Sequence, residues 1–273
     1  MVTRPEVREL EKKARDLRAD ILTMLTEAGS GHTGSSLSCV ELILTLYAYK
    51  LRIDPRNPAA DDRDRFVLSK GHAGPSLYAI LADFGFIPKE KLGTLRKLGS
   101  SLQGHPQFGL NGLEASTGSL GQGLSIANGM ALASKLDCKD TRVYCLMGDG
   151  ETNEGQVWEA AMTSAHYKLD NLCAMIDFNK LQIDGFLCDV MSLEPVIEKW
   201  QAFGWHVIEI DGHNFHHIMD ALDEAETIKE KPVMILAHTV KGKGVSFMEN
   251  KARWHGIAPT PEELKRALKE LDV

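Results

Sequence analysis

The sequence predicts an α/β fold, a mostly parallel sheet with helices on both faces. Three observations lead there. Short apolar runs recur at Phe66-Val67-Leu68, Val143-Tyr144-Cys145-Leu146-Met147, Leu172-Cys173-Ala174-Met175-Ile176, His206-Val207-Ile208-Glu209-Ile210 and Val233-Met234-Ile235-Leu236-Ala237. Helical patterns lie between and beside them, over residues 121–135, 157–168, 194–203 and 216–229. Strands that alternate with helices pair in parallel and are covered on both sides. Neither a low-complexity linker nor an internal repeat interrupts the pattern. With 273 residues the chain has room for one large α/β domain or two small ones, and a single domain over residues 1–273 is the simpler reading.

Taken in order, the chain opens with Val7, Leu10, Ala14, Leu17, Ile21 and Leu25 at helical spacing, charges between them, and Gly29 as the stop. Ser38 can cap a second helix through Val40-Glu41-Leu42-Ile43-Leu44. The small-residue loop between them, residues 29–35, carries His32. Together these form a helical approach segment over about residues 1–60. At the other end Thr260 caps a last helix, with Pro261 in its first turn and Glu263 at the capping-box position. The long irregular stretches are residues 100–117 and 241–258, and loops of that length inside a compact domain tend to be functional.

Charge and composition exclude several classes. A formal charge of -7 and the absence of a long Lys/Arg run give no footprint for nucleic acid or an anionic membrane. No apolar stretch approaches the roughly 20 residues that span a bilayer, and the N-terminus is charged from the start, so a cytoplasmic protein is expected. The five cysteines form no CxxC pair, and neither disulfides nor a thiolate zinc site is expected.

The chemistry gathers where strands end. The strand closing at Met147 runs into Gly148-Asp149-Gly150-Glu151-Thr152-Asn153-Glu154-Gly155, at the carboxyl edge where open parallel sheets bind ligands. Glycines on either side of Asp149 let the backbone approach an anion, and the carboxylate can hold a cation that bridges phosphate oxygens. Taken alone, Gly-Asp-Gly is also a common tight turn. One strand-helix-strand unit later, Asn179 stands at the matching position in Asp177-Phe178-Asn179-Lys180-Leu181-Gln182-Ile183-Asp184-Gly185. Both side chains can therefore reach the same edge, and an oxygen-donor site for magnesium or calcium on a diphosphate fits them. No GxGxxG follows a strand, which argues against a nicotinamide cofactor. Of ten histidines, His32, His72, His105 and His255 sit beside glycines in loops, where an imidazole can exchange protons. His206, His213, His216 and His217 are read as structural or solvated; Lys241 and Lys243 could face a phosphate, though a solvated loop pair is the favoured reading.

Ordered motifs run along nearly the whole chain: SGHTG at 30–34, DRFVLSKGHAGPSLYA at 64–79, QGHP at 103–106, STGSLGQGLSIANGMALA at 116–133, GDGETNEGQVWEA at 148–160, DFNKLQIDG at 177–185 and WHG at 254–256. Together they resemble transketolases. The resemblance implies the diphosphate-side domain of the thiamine-diphosphate-binding fold, with thiamine diphosphate and Mg2+ or Ca2+ as cofactors. It implies Asp149, Asn179 and the Leu181 carbonyl as metal ligands, and His72 and His255 near the diphosphate and reacting centre. His32 and His105 would meet the substrate's hydroxyl or carbonyl groups. Gly118, Ser119, Leu120, Gly148, Gly150 and Glu151 would line the cofactor; the family usually has Pro where this chain has Ser119. Glu154 and Glu159 match acidic positions near the subunit contact. The implied activity is transfer of a two-carbon ketol unit from a ketose phosphate to an aldose phosphate, in the manner of the pentose phosphate pathway. Activity would need a C-terminal transketolase subunit with the pyrimidine-binding domain, two copies of each chain forming a heterotetramer. Alternatives are a split enzyme for a sulfonated or branched ketose, another thiamine-diphosphate subunit such as a 2-oxo-acid dehydrogenase α chain or a deoxyxylulose phosphate synthase, and a non-catalytic relative. QGHP with STGSLGQG argues against the second, and the intact set of Asp149, Asn179 and loop histidines against the third.

Overall fold

The apolar stripe of the first helix anchors the N-terminal segment to the core. In the computed structural model, which describes residues 3–273, Val7–Ala28 forms α1 and buries Leu10, Leu17, Ile21 and Leu25. Met1 and Val2, the start of the predicted approach segment, lie outside the described residues. Gly29 ends α1 at φ 64°, a left-handed conformation that glycine adopts without steric cost, and its N–H returns to the Leu25 carbonyl. Thr33–Ser38 (α2) and Val40–Thr45 (α3) follow. Two expectations change here. The loop is shorter than predicted, since helix begins at Thr33, and Ser38 closes α2 instead of capping α3. Its fully buried hydroxyl donates its one proton to Asp177 at 2.5 Å, with the Ser35 carbonyl 3.2 Å away, and this charge-assisted bond is stronger than the neutral bond of a cap.

The strands are β1 (Arg65–Leu68), β2 (Val143–Gly148), β3 (Leu172–Phe178), a small hairpin of β4 (Leu181–Gln182) and β5 (Gly185–Phe186), then β6 (His206–Asp211) and β7 (Val233–His238). All five predicted strands are present and form one parallel sheet in the order β1-β2-β3-β7-β6. The remaining helices are α4 (Gly74–Asp83), α5 (Gln122–Leu136), α6 (Gly155–His166), α7 (Leu187–Val190), α8 (Val196–Ala202), α9 (Phe215–Thr227) and α10 (Pro261–Leu271). Helix α10 carries the predicted capping box, with Glu263 N–H donating to Thr260 Oγ1 at 3.2 Å and Thr260 N–H to Glu263 at 2.9 Å. The sequence reading missed α4. Its first eight residues are all buried, so no polar face marks a helical period.

Side chains of the sheet alternate strictly between two cores. Phe66, Leu68, Tyr144, Leu146, Met175 and Ile235 face the layer of α1, α3, α4, α9 and α10. Val67, Cys145, Met147, Ala174, Ile176 and Met234 face the layer of α5, α6 and α8. Cys39, Cys145 and Cys173 are buried, whereas Cys138 and Cys188 are exposed. Among the described residues no helix is long and apolar enough to cross a membrane.

The consequence for function is positional. Because β1, β2, β3 and β7 are neighbours and parallel, Ser69–His72, Asp149–Glu151, Asn179–Leu181 and Thr239–Lys241 all leave the sheet at one edge. The start of α2 arrives over the same edge, since Gly242 N–H bonds the Gly34 carbonyl at 3.0 Å.

Candidate active site

The floor of this edge is a buried ion pair. Lys70 Nζ donates to Asp177 and, at 3.0 Å, to the Ser35 carbonyl, with Lys70 and Asp177 at 1% and 0% exposure. Burial by itself would raise Asp177, but Lys70 and the hydroxyls of Ser38 and Thr239 outweigh it and hold the group below the usual carboxylate range. Removing one partner would strand a buried charge at a cost of about 3–5 kcal/mol.

Above the floor, Asp149 accepts Gly150 N–H at 2.7 Å on Oδ1 and Lys180 N–H at 2.6 Å on Oδ2. Burial, then the nearby Asp177 charge, push it up to about 7. Lys180 sits at φ 64°, and this turn lets its N–H meet Asp149 and brings Leu181 to the cleft. Asn179 Oδ1 accepts Leu181 N–H at 3.1 Å.

The four loop histidines, dispersed in sequence, converge. Ring centroids of His32 lie 5.2 Å from His72, 6.1 Å from His105 and 5.4 Å from His255, and His72 lies 5.6 Å from His255. They line one cleft of about 270 Å³ together with Gly118, Leu120, Gly148, Asp149, Gly150, Asn179 and Leu181. Burial and then neighbouring positive groups lower all four: His32 to about 4, His255 to about 3, His72 well below its ordinary value, and His105 in the same direction. The cleft therefore presents neutral imidazoles near pH 7. Lys241 Nζ lies 2.8 Å from His255 Nδ1 and 3.3 Å from the Leu181 carbonyl. An ammonium can only donate, so Nδ1 accepts and the imidazole proton resides on Nε2.

These shifts have a measurable sign. Because the folded pKa of His32 lies below the ordinary value, the unfolded chain binds the extra proton first. The stability it contributes is complete above about pH 6.5 and is lost as pH falls toward about 4. His32→Asn should flatten the fall in Tm of the unliganded chain across that window; an unchanged acid slope would remove His32 from the account.

A family model described as "Transketolase, thiamine diphosphate binding domain" matches residues 9–272. The chain belongs to the transketolase family. It is 47% identical to a 6-deoxy-6-sulfo-D-fructose transketolase subunit of Clostridium sp. (strain MSTE9), covering 97% of this chain and 96% of that one. An apulose-4-phosphate transketolase subunit of Phocaeicola vulgatus is 44% identical over 97% of this chain and 95% of its own. The fold superposes on the crystal structure of Campylobacter jejuni transketolase with a TM-score of 0.93 and 34% identity. That match covers 98% of this chain but 43% of the Campylobacter protein, so the chain spans about two fifths of a transketolase of that kind.

The residues at this transketolase edge suit thiamine diphosphate. A Cβ on Gly71 would stand 2.6 Å from the Thr117 carbonyl carbon, and one on Gly118 (φ 140°) 2.8 Å from the His105 ring, so only glycines let these loops pack closely enough to bring Gly118 and His105 together in the cleft. The donors also suit a hard cation. Asp149 is buried at 3% exposure, its oxygens accepting two backbone N–H groups while Lys70 and Lys241 act on it through charge, and Asn179 and the Leu181 carbonyl add neutral oxygens. Among the described residues no cluster of three His, Cys, Asp or Glu is placed to hold a metal. An ion here would complete its shell from phosphate oxygens and water, which matches a cofactor-bridging role.

Several predicted residues do something other than expected. Glu151 lines the cleft, but its carboxylate is engaged by Ser69, by Gly121 N–H at 2.9 Å and by Gly148 N–H at 3.1 Å. It ties the start of α5 to the end of β2. Ser119 is exposed and does not line the cleft, whereas Gly118 and Leu120 on either side do. Lys241 is not solvated: it is 1% exposed, lines the cleft and is lowered to about 8 by burial and Lys70. Lys243 is partly exposed, 4.0 Å from Glu249. Glu154 lines the cleft from an exposed position, while Glu159 is exposed on α6. Sequence reasoning missed Ser35, Lys70, Gln182 and Ile183 as lining residues. Lys70 and Lys241 carried a positional signal, since they come two and three residues after strands that end at the edge bearing the cleft. His206 pairs with Glu224 at 2.8 Å, and His216 and His217 are exposed, as expected of structural or solvated residues.

Proposed function

We propose that the chain is the thiamine-diphosphate-binding subunit of a two-part transketolase that moves a two-carbon ketol unit from a ketose phosphate to an aldose phosphate. The observation that carries this reading is the meeting of four neutral imidazoles with the Asp149, Asn179 and Leu181 oxygens in one cleft. Bound thiamine diphosphate supplies the stabilised carbanion chemistry. Asp149, Asn179 and the Leu181 carbonyl hold Mg2+ or Ca2+, and through it the diphosphate. Gly118, Leu120, Gly148 and Gly150 let the backbone approach the cofactor. His72 and His255 stand at the diphosphate and reacting centre, where His255 presents Nε2–H because Lys241 occupies Nδ1. His32 and His105 hydrogen-bond substrate oxygens and, being neutral, can either give or take a hydrogen bond. The partner carries the pyrimidine-binding domain, two copies of each chain assemble, and the setting is cytoplasmic.

A second reading concerns the sugar. The relatives at 47% and 44% identity are named for a sulfonated fructose and for apulose 4-phosphate, which favours a modified ketose over a common pentose phosphate. A panel of sulfonated, branched and ordinary ketose donors separates the two readings by relative kcat/KM.

His105→Ala tests the substrate role. In the assembled enzyme at saturating cofactor, kcat/KM for the ketose donor should fall by about 10²–10⁴, the range of a positioned acid–base group. Cofactor affinity should change less than about threefold, since loss of one peripheral contact is worth little against a metal-held diphosphate. Parallel losses in both would move His105 out of the substrate role.

A further inference from the structure

His213 lies outside the cleft, at the turn between β6 and α9, yet it is wired to it. Its Nδ1 lies 3.1 Å from Glu41, and its Nε2 accepts the N–H of Val240 at 2.8 Å. Glu41 is 5% exposed and holds Arg18 at 2.7 Å, and Arg18, 4% exposed, also donates to the Leu37 carbonyl. Arg18 packs under the same loop again at Gly244, where an added Cβ would meet its Cδ at 3.0 Å. Val240 immediately precedes Lys241, whose ammonium holds the proton of His255 on Nε2 and reaches the Leu181 carbonyl. On the other side, Thr239 donates to Asp177 and Gly242 to the Gly34 carbonyl. The backbone that aims Lys241 is thus held at successive residues, and His213 supplies the hold at the residue next to it.

We infer that His213 is a positioning residue for the active site: by accepting Val240 N–H it sets the Val240-Lys241 backbone, and through Lys241 the tautomer and orientation of His255. This rests on the cofactor reading of the cleft. The Glu41 contact orients the ring. A carboxylate accepts only, so Nδ1 carries the proton there and Nε2 is left with the lone pair that Val240 requires. Lys241 Nζ must meet two acceptors at once, and a long lysine side chain does so only if its backbone origin is fixed.

Two isosteric variants divide the contacts. An Asn at 213 reaches the place of Nδ1 and keeps a donor for Glu41 while abandoning Val240; a Gln reaches the place of Nε2 and keeps an acceptor for Val240. Long-range proton–nitrogen spectra of the full chain, without any ligand, report which nitrogen of His255 is protonated. Thiamine diphosphate with Mg2+ is then titrated calorimetrically. His213→Asn should turn His255 from Nε2–H to mixed tautomers and weaken cofactor binding roughly tenfold, the effect of one lost buried hydrogen bond. His213→Gln should keep the Nε2–H form and stay within about twofold of wild type. An Asn variant with unchanged His255 and unchanged affinity overturns the inference, and so does a Gln variant that loses the Nε2–H form, even if the Asn variant does not fold. Lys241→Met is the reference. If it changes the tautomer but not cofactor affinity, the cofactor reading of the cleft fails, while the His213 result still stands on the spectra.

Discussion

Asp149→Asn is expected to weaken binding of thiamine diphosphate with Mg2+ by more than about a hundredfold, since even groups one step removed from a metal are worth roughly tenfold to a hundredfold. The variant keeps the size of the side chain and an oxygen for one backbone N–H. What it removes is the only charge among the three proposed ligands, because Asn179 and the Leu181 carbonyl are neutral. Burial and Asp177 already push the Asp149 carboxyl up to about 7, so the site disfavours its negative charge until a cation arrives. The same burial offsets part of the loss, since an uncharged group replaces one that the interior destabilises. The second N–H then faces an amide NH2, at a cost of about 1–3 kcal/mol, so Tm of the unliganded chain should fall modestly with the fold intact, while calorimetry at saturating Mg2+ loses the cofactor signal. Unchanged affinity would reject the metal assignment, and collapse of the unliganded fold would make Asp149 a structural residue.

The second large effect concerns the partner. Purified alone with thiamine diphosphate and magnesium, the chain should show no two-carbon transfer, and activity should appear on mixing with a subunit that carries the pyrimidine-binding domain. Relatives matched over 96% and 95% of their own length are named as transketolase subunits. The chemistry agrees. Three carboxylates line the cleft: Asp149 accepts two backbone N–H groups at the metal corner, Glu151 is held by Ser69, Gly121 and Gly148, and Glu154 is exposed. Asp149 and Glu151 are thus committed to contacts within this chain, and activation of the cofactor is expected to need a group from the subunit that carries the pyrimidine-binding domain. Lacking that group, the rate should sit at least about 10²–10⁴ below the assembled enzyme. Sedimentation of the active mixture should give two copies of each chain, the closed symmetry usual for such assemblies. Robust transfer by the isolated, homogeneous chain would sink the two-part reading.

How much of this was legible beforehand depends on how local each feature is. The five strands, the Gly29 stop and the Thr260 capping box are written within a few neighbouring residues, and each is found where it was read. Helix α4 was hidden because burial on every side erases its periodicity. Asp149 and Asn179 were legible as a pair because a strand-helix-strand unit has a characteristic length and both strands end at the same edge. Individually the loop histidines were weak signals, and only their shared neighbour type, glycine, suggested a common place.

The sequence by itself thus determined the fold class, the sheet edge that carries the cleft and the residues of its oxygen-donor corner, since these follow from periodicity and strand ends. Tertiary structure alone decided that Lys241 is a buried site residue and not a solvated one, that Glu151 braces the sheet edge, that Ser119 turns away from the cleft and that His213 reaches Val240. The physical reason is that burial and proton position are set by contacts between distant segments. Lys241 meets a carbonyl 60 residues away and Ser69 meets Glu151 across 82, and no local pattern encodes which groups will be brought out of water together.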